Sequence, residues 1–328
     1  MTGRYSDQDQ EHYERPRRHT RPRTKDRPTY DDAVEGSVVT VDRGRYTVLV
    51  GEQVVSAMKA RPLGRKGVVV GDRVRVVGDT SGDAGSLARI VQVTERITTL
   101  RRTADDDDPV ERIIVSNAEQ LVVVTALADP DPQPRLIDRA LVAAYVAGMQ
   151  PVLCLTKADL ADPETLLSTY RSLGVPWVVS ARGGDLGELR ERLRERTSVL
   201  VGSSGVGKST LVNALVPTAD RQVGVVNAVT GRGRHTSTSA YMLALPGGGW
   251  IIDTPGIRSF GLAHVRPEDL IGAFPDLDEM TGGCPRGCTH GTQEPECGLD
   301  EAVRAGETDP DRVSSFRRLL SARSEPLH

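Results

Sequence analysis

The stretch VLVGSSGVGKSTLVN, Val199 to Asn213, reads as a short apolar strand, a tight glycine loop and the first turns of a helix. Gly202, the intervening Ser203, Ser204, Gly205 and Val206, and then Gly207, Lys208 and Ser209 match the GxxxxGK[ST] spacing of a phosphate-binding loop, with Thr210 following inside the helix. A triphosphate needs several converging backbone N–H groups, and glycine permits the positive φ and close approach that a side chain blocks. Lys208 then supplies a point charge to the β- and γ-phosphates. The Ser209 hydroxyl coordinates Mg2+ from a helix start whose dipole favours anions. The competing reading is a ligand-free turn between strand and helix; the apolar strand feeding the loop favours nucleotide.

Working outward, LVVVT (Leu121 to Thr125), PVLCL (Pro151 to Leu155) and VPWVV (Val175 to Val179) are continuous apolar runs separated by helical segments. This predicts a parallel sheet covered on both faces, extended by the strand at Ser198 to Val201 and by YMLAL and GWIID. Cys154, inside one of these runs, is expected to be a core residue. Ligands collect at the carboxyl ends of such strands, where three further groups fall: Thr156, Lys157 and Asp159; Ser180, Ala181 and Arg182; and Asp253 through Gly256. The Asp159 carboxylate can accept hydrogen bonds from guanine N1–H and the exocyclic amine, a pair adenine lacks. The Ala181 backbone meets the guanine carbonyl oxygen. Asp253 holds the Mg2+ shell, and the Gly256 N–H senses the γ-phosphate.

The flanks differ in character. Residues 1–34 are expected to form a disordered basic arm, carrying Arg15, Arg17, Arg18, Arg21, Arg23, Lys25 and Arg27 with almost no aliphatic residues. It is either a solvated tail or a source of phosphate contacts to nucleic acid. Residues 35–100 carry short β-rich runs, SVVTVD, YTVLVG, GVVVGDRVRVVG and ARIVQVT, which suit an OB-like five-stranded barrel. Lys59, Arg61, Arg65 and Lys66 fall together in a connection, where they either meet RNA phosphates or solvate a loop. Asp105 to Asp108 is an acidic connector without an assigned role. The central α/β domain is expected over residues 101–260 and an α-rich metal-binding domain with a C-terminal helix over 261–328.

In that last region Cys284, Cys288, His290 and Cys297 offer three thiolates and an imidazole, sufficient for a closed tetrahedral Zn2+ site of structural type. The alternative is free cysteines in a polar loop; Gly282, Gly283, Pro285 and Gly287 supply the bends a metal loop needs. Beyond it, Val313 to Leu320 reads as an amphipathic helix with Arg304, Arg312, Arg317 and Arg318 available for RNA or protein contact.

The chain of 328 residues is 27% charged and 38% hydrophobic, with a net charge of −3, so it can bury a large core over two or three domains and no global field selects its partner. It has no apolar run long enough to span a membrane and no signal peptide, so a cytoplasmic, membrane-free monomer is expected.

The motifs resemble the five motifs of translation-factor-class GTPases in an altered order. The base-reading groups at Thr156 to Asp159 and Ser180 to Arg182 precede the phosphate loop, which is a circular permutation. With an N-terminal barrel and a C-terminal Cys/His cluster, the chain resembles the small-ribosomal-subunit-dependent GTPase family, RsgA, over about residues 35 to 310. The resemblance implies a Mg2+-dependent hydrolysis of GTP to GDP stimulated by the small ribosomal subunit and its rRNA, in late maturation of that subunit. Two departures stand out: the family usually has Asn at the position of Thr156, and the Cys/His spacing differs slightly.

Ile257 follows Gly256, where many GTPases carry a water-orienting glutamine. In the resembling family a histidine does this, which places the role on His235, beside Thr236, the residue aligned with the switch threonine that closes on Mg2+. The Gly-, Thr- and Ser-rich segment Val223 to Thr238 is expected to be mobile until a partner orders it. Two other classes remain beside the GTPase: an RNA-binding assembly scaffold that binds nucleotide without useful hydrolysis, and a metabolic P-loop kinase or ATPase, which Asp159 and the lack of an acceptor-substrate motif disfavour.

Overall fold

The computed structural model describes residues 30–42, 44–63, 67–83, 85–103, 111–219, 222, 240–254 and 261–323. The chain divides into two compact units, Met1–Asp31 and Asp32–His328, and the second holds every strand and helix among the described residues.

Five strands open it: β1 (Val34–Asp42), β2 (Arg45–Val50), β3 (Gln53–Lys59), β4 (Arg73–Gly78) and β5 (Ala88–Val93). They pair in the order β1-β2-β3-β5-β4, and β4 returns to β1 through Val34↔Val76 to Ser37↔Arg73, which closes the barrel. Alternation puts Val38, Val48, Val55, Val74, Val76 and Ile90 inside as a separate core. The run GVVVGDRVRVVG forms a strand only in its second half. Gly71 breaks it at φ +88°, and buried Asp72 gathers donors from the Val69 N–H at 2.8 Å, Ser116 Oγ at 2.7 Å and Arg96 Nε at 2.6 Å. A carboxylate with so many donors must sit at a chain crossing rather than in a ladder.

β6 (Thr99–Thr103) and β7 (Glu111–Ser116) pair with each other as a separate two-stranded sheet. The acidic run Asp105 to Asp108 falls in sequence between these two strands and lies outside the described residues.

The other half of the large sheet comes next: β8 (Gln120–Ala126), β9 (Gln150–Thr156), β10 (Trp177–Val179), β11 (Thr197–Val201), β12 (Tyr241–Ala244) and β13 (Trp250–Asp253), in the order β10-β9-β8-β11-β13-β12. The first five are parallel, as the apolar runs predict. β12 is antiparallel to β13, because the short turn between them allows only a hairpin return. β12 also pairs with barrel strand β1 at Thr40↔Tyr241, so barrel and nucleotide-type sheet form one hydrogen-bonded surface.

Helices α1 (Pro134–Val146) and α2 (Glu164–Tyr170) cover one face, and α3 (Gly187–Leu193) and α4 (Lys208–Leu215) the other. Cys154 is fully buried among these layers. The C-terminal helices α5 (Pro267–Ile271), α6 (Pro275–Asp278), α7 (Gly298–Ala305) and α8 (Pro310–Ala322) pack on the α1 face and share its core. Phe274 joins them, with ring centroids 4.7 Å from Tyr145 and 5.4 Å from Phe316.

The C-terminal arginines are not the free surface groups the sequence suggests. Arg312 pairs with Asp276 at 2.9 Å, Arg317 with Asp300 at 2.7 Å, and Arg318 with buried Asp138 of α1 at 3.1 Å while stacking 5.0 Å over Tyr170. Packing of α8 against α1, α6 and α7 partly covers these cations, and each is held by a carboxylate. Arg304 alone of the four remains exposed.

Candidate nucleotide site and metal centre

The carboxyl ends of β9, β10, β11 and β13 meet along one edge of the parallel sheet. β11 delivers the phosphate-type loop. A Cβ on Gly202 would lie 2.2 Å from the Val124 carbonyl oxygen, so only glycine lets the loop leave the sheet there. Gly207 caps α4 at φ +93°, turning the loop into the helix. Lys208 Nζ folds back over the loop, donating to the carbonyls of Gly202 at 2.6 Å and Ser203 at 2.9 Å. Ser209 and Thr210 open α4 with Thr210 exposed, as is Ser204, while Val206 is buried.

A cavity of about 410 Å³ adjoins this loop, lined by Thr156, Lys157, Ser180, Ala181, Gly205 and Gly207, with Thr210 of α4 beside them. Thr156, Lys157, Ser180 and Ala181 thus meet the loop although they precede it in sequence. Arg182, Gly183, Leu186 and Leu211 extend the lining; the Gly-Gly after SAR was the available signal for that wall. Asp159 sits on the exposed turn after β9 and is not part of the lining. Thr156 does not point into open space. It is 5% exposed, and its hydroxyl donates to the Val206 carbonyl at 2.6 Å. Lys157 is held at φ +58°, with its ammonium donated to the Asp129 carbonyl.

Asp253 ends β13 and is 6% exposed. Its Oδ2 accepts from the Tyr241 hydroxyl at 2.8 Å, and its Oδ1 is buried with no hydrogen-bond partner among the described residues. An unpaired buried carboxylate oxygen is what a Mg2+ site requires, since a hard cation or its water completes it. Tyr241 was not singled out in the sequence, because only the antiparallel register reveals the contact. His235, Thr236, Gly256 and Ile257 lie outside the described residues, as do Arg65, Lys66 and residues 1–29 of the expected arm, whose last residue, Val34, instead opens β1. Lys59 ends β3 and Arg61 opens the turn after it.

Cys284, Cys288, His290 and Cys297 converge, with their ligand atoms within 4.8 Å of one another. His290 Nδ1 lies 3.6, 3.6 and 3.8 Å from the sulfurs of Cys284, Cys288 and Cys297. A tetrahedral ion with bonds of about 2.3 Å to sulfur and about 2.05 Å to nitrogen separates S and N by about 3.6 Å. The donor set therefore fits zinc, and its four protein groups leave no open position. Backbone N–H groups of Gly298 and His290 donate to Cys284 and Cys288 sulfurs at 3.1 and 3.4 Å, as thiolate ligands need. Burial pushes His290 below its ordinary value and so favours the neutral imidazole a metal binds.

The family described as RsgA GTPase matches residues 93–263. The chain is 40% identical over 267 residues to the small ribosomal subunit biogenesis GTPase RsgA of Pseudomonas fluorescens, covering 79% of this chain and 76% of that protein. It belongs to the RsgA GTPase family. The protein of the same description from Ectopseudomonas mendocina is 45% identical over 221 residues, 65% of this chain and 64% of its own length. The alignment thus spans somewhat under two thirds of that relative. Among solved structures, YloQ, a circularly permuted GTPase, aligns with a TM-score of 0.64 at 25% identity, covering 92% of this chain and 100% of that one. YjeQ from Thermotoga maritima aligns at 0.63 and 26%, covering 89% and 98%. The order of a circularly permuted GTPase accounts for strands β9 and β10 preceding the loop strand β11 while sharing its sheet.

Proposed function

We propose that this protein binds GTP with Mg2+ and hydrolyses it to GDP and phosphate, acting with the small ribosomal subunit and its rRNA in the maturation of that subunit. The observation that carries the reading is the convergence of Thr156, Ser180 and Ala181 with the Gly202 to Thr210 loop at one cavity, with Asp253 ending the strand paired to the loop's own. The names of the RsgA relatives supply the ribosomal part.

In this reading Lys208 exchanges its loop carbonyls for phosphate oxygens, and the Gly205 and Gly207 N–H groups receive the phosphates. Asp159 and the Ala181 backbone read guanine, and Lys157 covers it. Ser209, Asp253 and Thr236 hold Mg2+, which when bound neutralises developing charge on the phosphates. His235 orients the attacking water through its ring nitrogen, since Ile257 cannot, and the Gly256 N–H registers the terminal phosphate. Cys284, Cys288, His290 and Cys297 hold one structural Zn2+ that fixes the C-terminal loops. Exposed Arg45, Arg61, Arg73 and Arg89 on or beside barrel strands support contacts to RNA phosphates.

The test is phosphate release from GTP, with ATP as control, with and without purified small ribosomal subunits. Strong GTP-specific stimulation is expected. Tight GTP binding without stimulation would replace this reading with that of a nucleotide-binding RNA scaffold.

A further inference from the structure

A row of four residues crosses from the barrel into the nucleotide-type sheet. Thr47 of β2 stands opposite Thr40 of β1, Thr40 opposite Tyr241 of β12, and Tyr241 opposite Asp253 of β13. Two side-chain hydrogen bonds lie on it: Thr40 Oγ1 donates to Thr47 Oγ1 at 2.9 Å, and the Tyr241 hydroxyl donates to Asp253 Oδ2 at 2.8 Å. Directly opposed residues of an antiparallel pair are the closest side-chain neighbours a sheet offers, so this register brings the phenol to the carboxylate.

Asp253 is thereby left asymmetric. One oxygen is held by a neutral donor, and the other is buried without a partner among the described residues. The backbone just beyond is fixed too, because Thr254 Oγ1 donates to the Leu200 carbonyl at 2.9 Å. Freed of the phenol, the carboxylate can turn about its χ2, a soft two-fold torsion, and neither oxygen is then directed to one place.

We propose that Tyr241 is a positioning residue that holds the Asp253 carboxylate with Oδ1 presented to the Mg2+ of the bound nucleotide, its own place fixed by pairing of β12 with barrel strand β1. The inference rests on the nucleotide reading above. A group behind a metal-binding carboxylate tunes metal affinity without touching the ion, and its removal costs about 10-fold or more. It does not alter contacts to base or sugar.

The experiment uses the full chain and the release rate of a fluorescent N-methylanthraniloyl GDP, measured across a Mg2+ titration and in excess EDTA. For Tyr241→Phe, the Mg2+ concentration giving half-maximal slowing of release is expected to rise about 10-fold, with the EDTA rate unchanged and the melting temperature of the nucleotide-free protein lowered only modestly, since one donor to a nearly buried carboxylate oxygen is lost. An unchanged Mg2+ requirement overturns the proposal. A variant that releases nucleotide faster in EDTA and in Mg2+ by the same factor also overturns it, by showing a general packing role. Wild-type protein that does not bind the GDP analogue overturns the nucleotide reading itself, an outcome visible before any variant is made.

Discussion

The Thr156 hydroxyl donates to the carbonyl oxygen of Val206, fifty residues further along the chain, at 2.6 Å, and also reaches the Thr125 carbonyl at 3.2 Å. One short side chain thus ties the end of β9 to the glycine loop that follows β11.

Thr156→Val removes the donor while keeping the shape. A buried carbonyl loses a partner, which costs about 1–2 kcal/mol of stability, and the two halves of the cavity lose their register. Urea denaturation should show that loss, with GDP affinity lowered several-fold. Unchanged stability and affinity would show that the loop holds its place without Thr156.

The Asp138–Arg318 pair is expected to matter more than a surface bridge. Asp138 is 3% exposed on α1, and Arg318 approaches it from α8, 180 residues away. Arg318→Ala takes the guanidinium away from a buried carboxylate, and the loss of a charged hydrogen-bond partner costs about 1.5–3 kcal/mol. The double change to leucine at both sites should recover most of it. If denaturation finds the single variant as stable as wild type, the pair is solvated in solution.

Acid should loosen the same flank. Arg312 beside Asp276 and Arg317 beside Asp300 hold both carboxyls below the usual carboxylate range. With folded-state values below the unfolded value near 3.9, their contribution is fully present above about pH 5 and fades as pH falls through the folded values. Stability measured from pH 6 to pH 2.5 should drop, and less steeply for Asp276→Asn. Identical profiles for the two proteins would remove Asp276 from the acid response.

The metal cluster offers a sharper readout. Apart from Cys297 and a few flanking residues, the loop from Cys284 to Gly298 buries little apolar surface, so an ion supplies much of its folding energy. Metal analysis should find one zinc per chain, and Cys297→Ser should lose the metal together with hydrogen-exchange protection around α7 while the parallel sheet stays protected. A metal-free chain with α7 protected would refute the zinc assignment.

How much the sequence made legible depends on the range of the interactions. The loop at Gly202 to Ser209 is a local pattern, and the runs around Val123 and Leu153 are apolar because both sheet faces are covered, so spacing alone announces them. The Cys/His cluster is local as well. The pairing of Arg312, Arg317 and Arg318 depends on partners 36, 17 and 180 residues away, and a lone arginine on a helix face reads as solvated until the opposing surface is known. Tyr241 was hidden for a related reason: YMLAL signals a strand and the short turn after it forces an antiparallel hairpin, but the exact register decides which residue faces Asp253, and the apolar pattern of YMLAL and GWIID does not fix it.

Asp159 provides the most discriminating test of the nucleotide reading. It stands on the exposed turn after β9, near the cavity edge but outside its lining, so its role must come from a ligand's own hydrogen-bonding pattern. A carboxylate accepts two donors from guanine. The carboxamide of Asp159→Asn offers one acceptor and one donor, which mismatches guanine and matches xanthine, where an oxygen replaces the exocyclic amine. The variant should bind GDP at least about 100-fold more weakly than wild type and gain affinity for xanthosine diphosphate. Because the side chain is exposed, stability should not change, which separates recognition from folding. Equal GDP affinity in variant and wild type would mean that another group reads the base, and Ala181 with Arg182 on the facing wall would be the next residues to change.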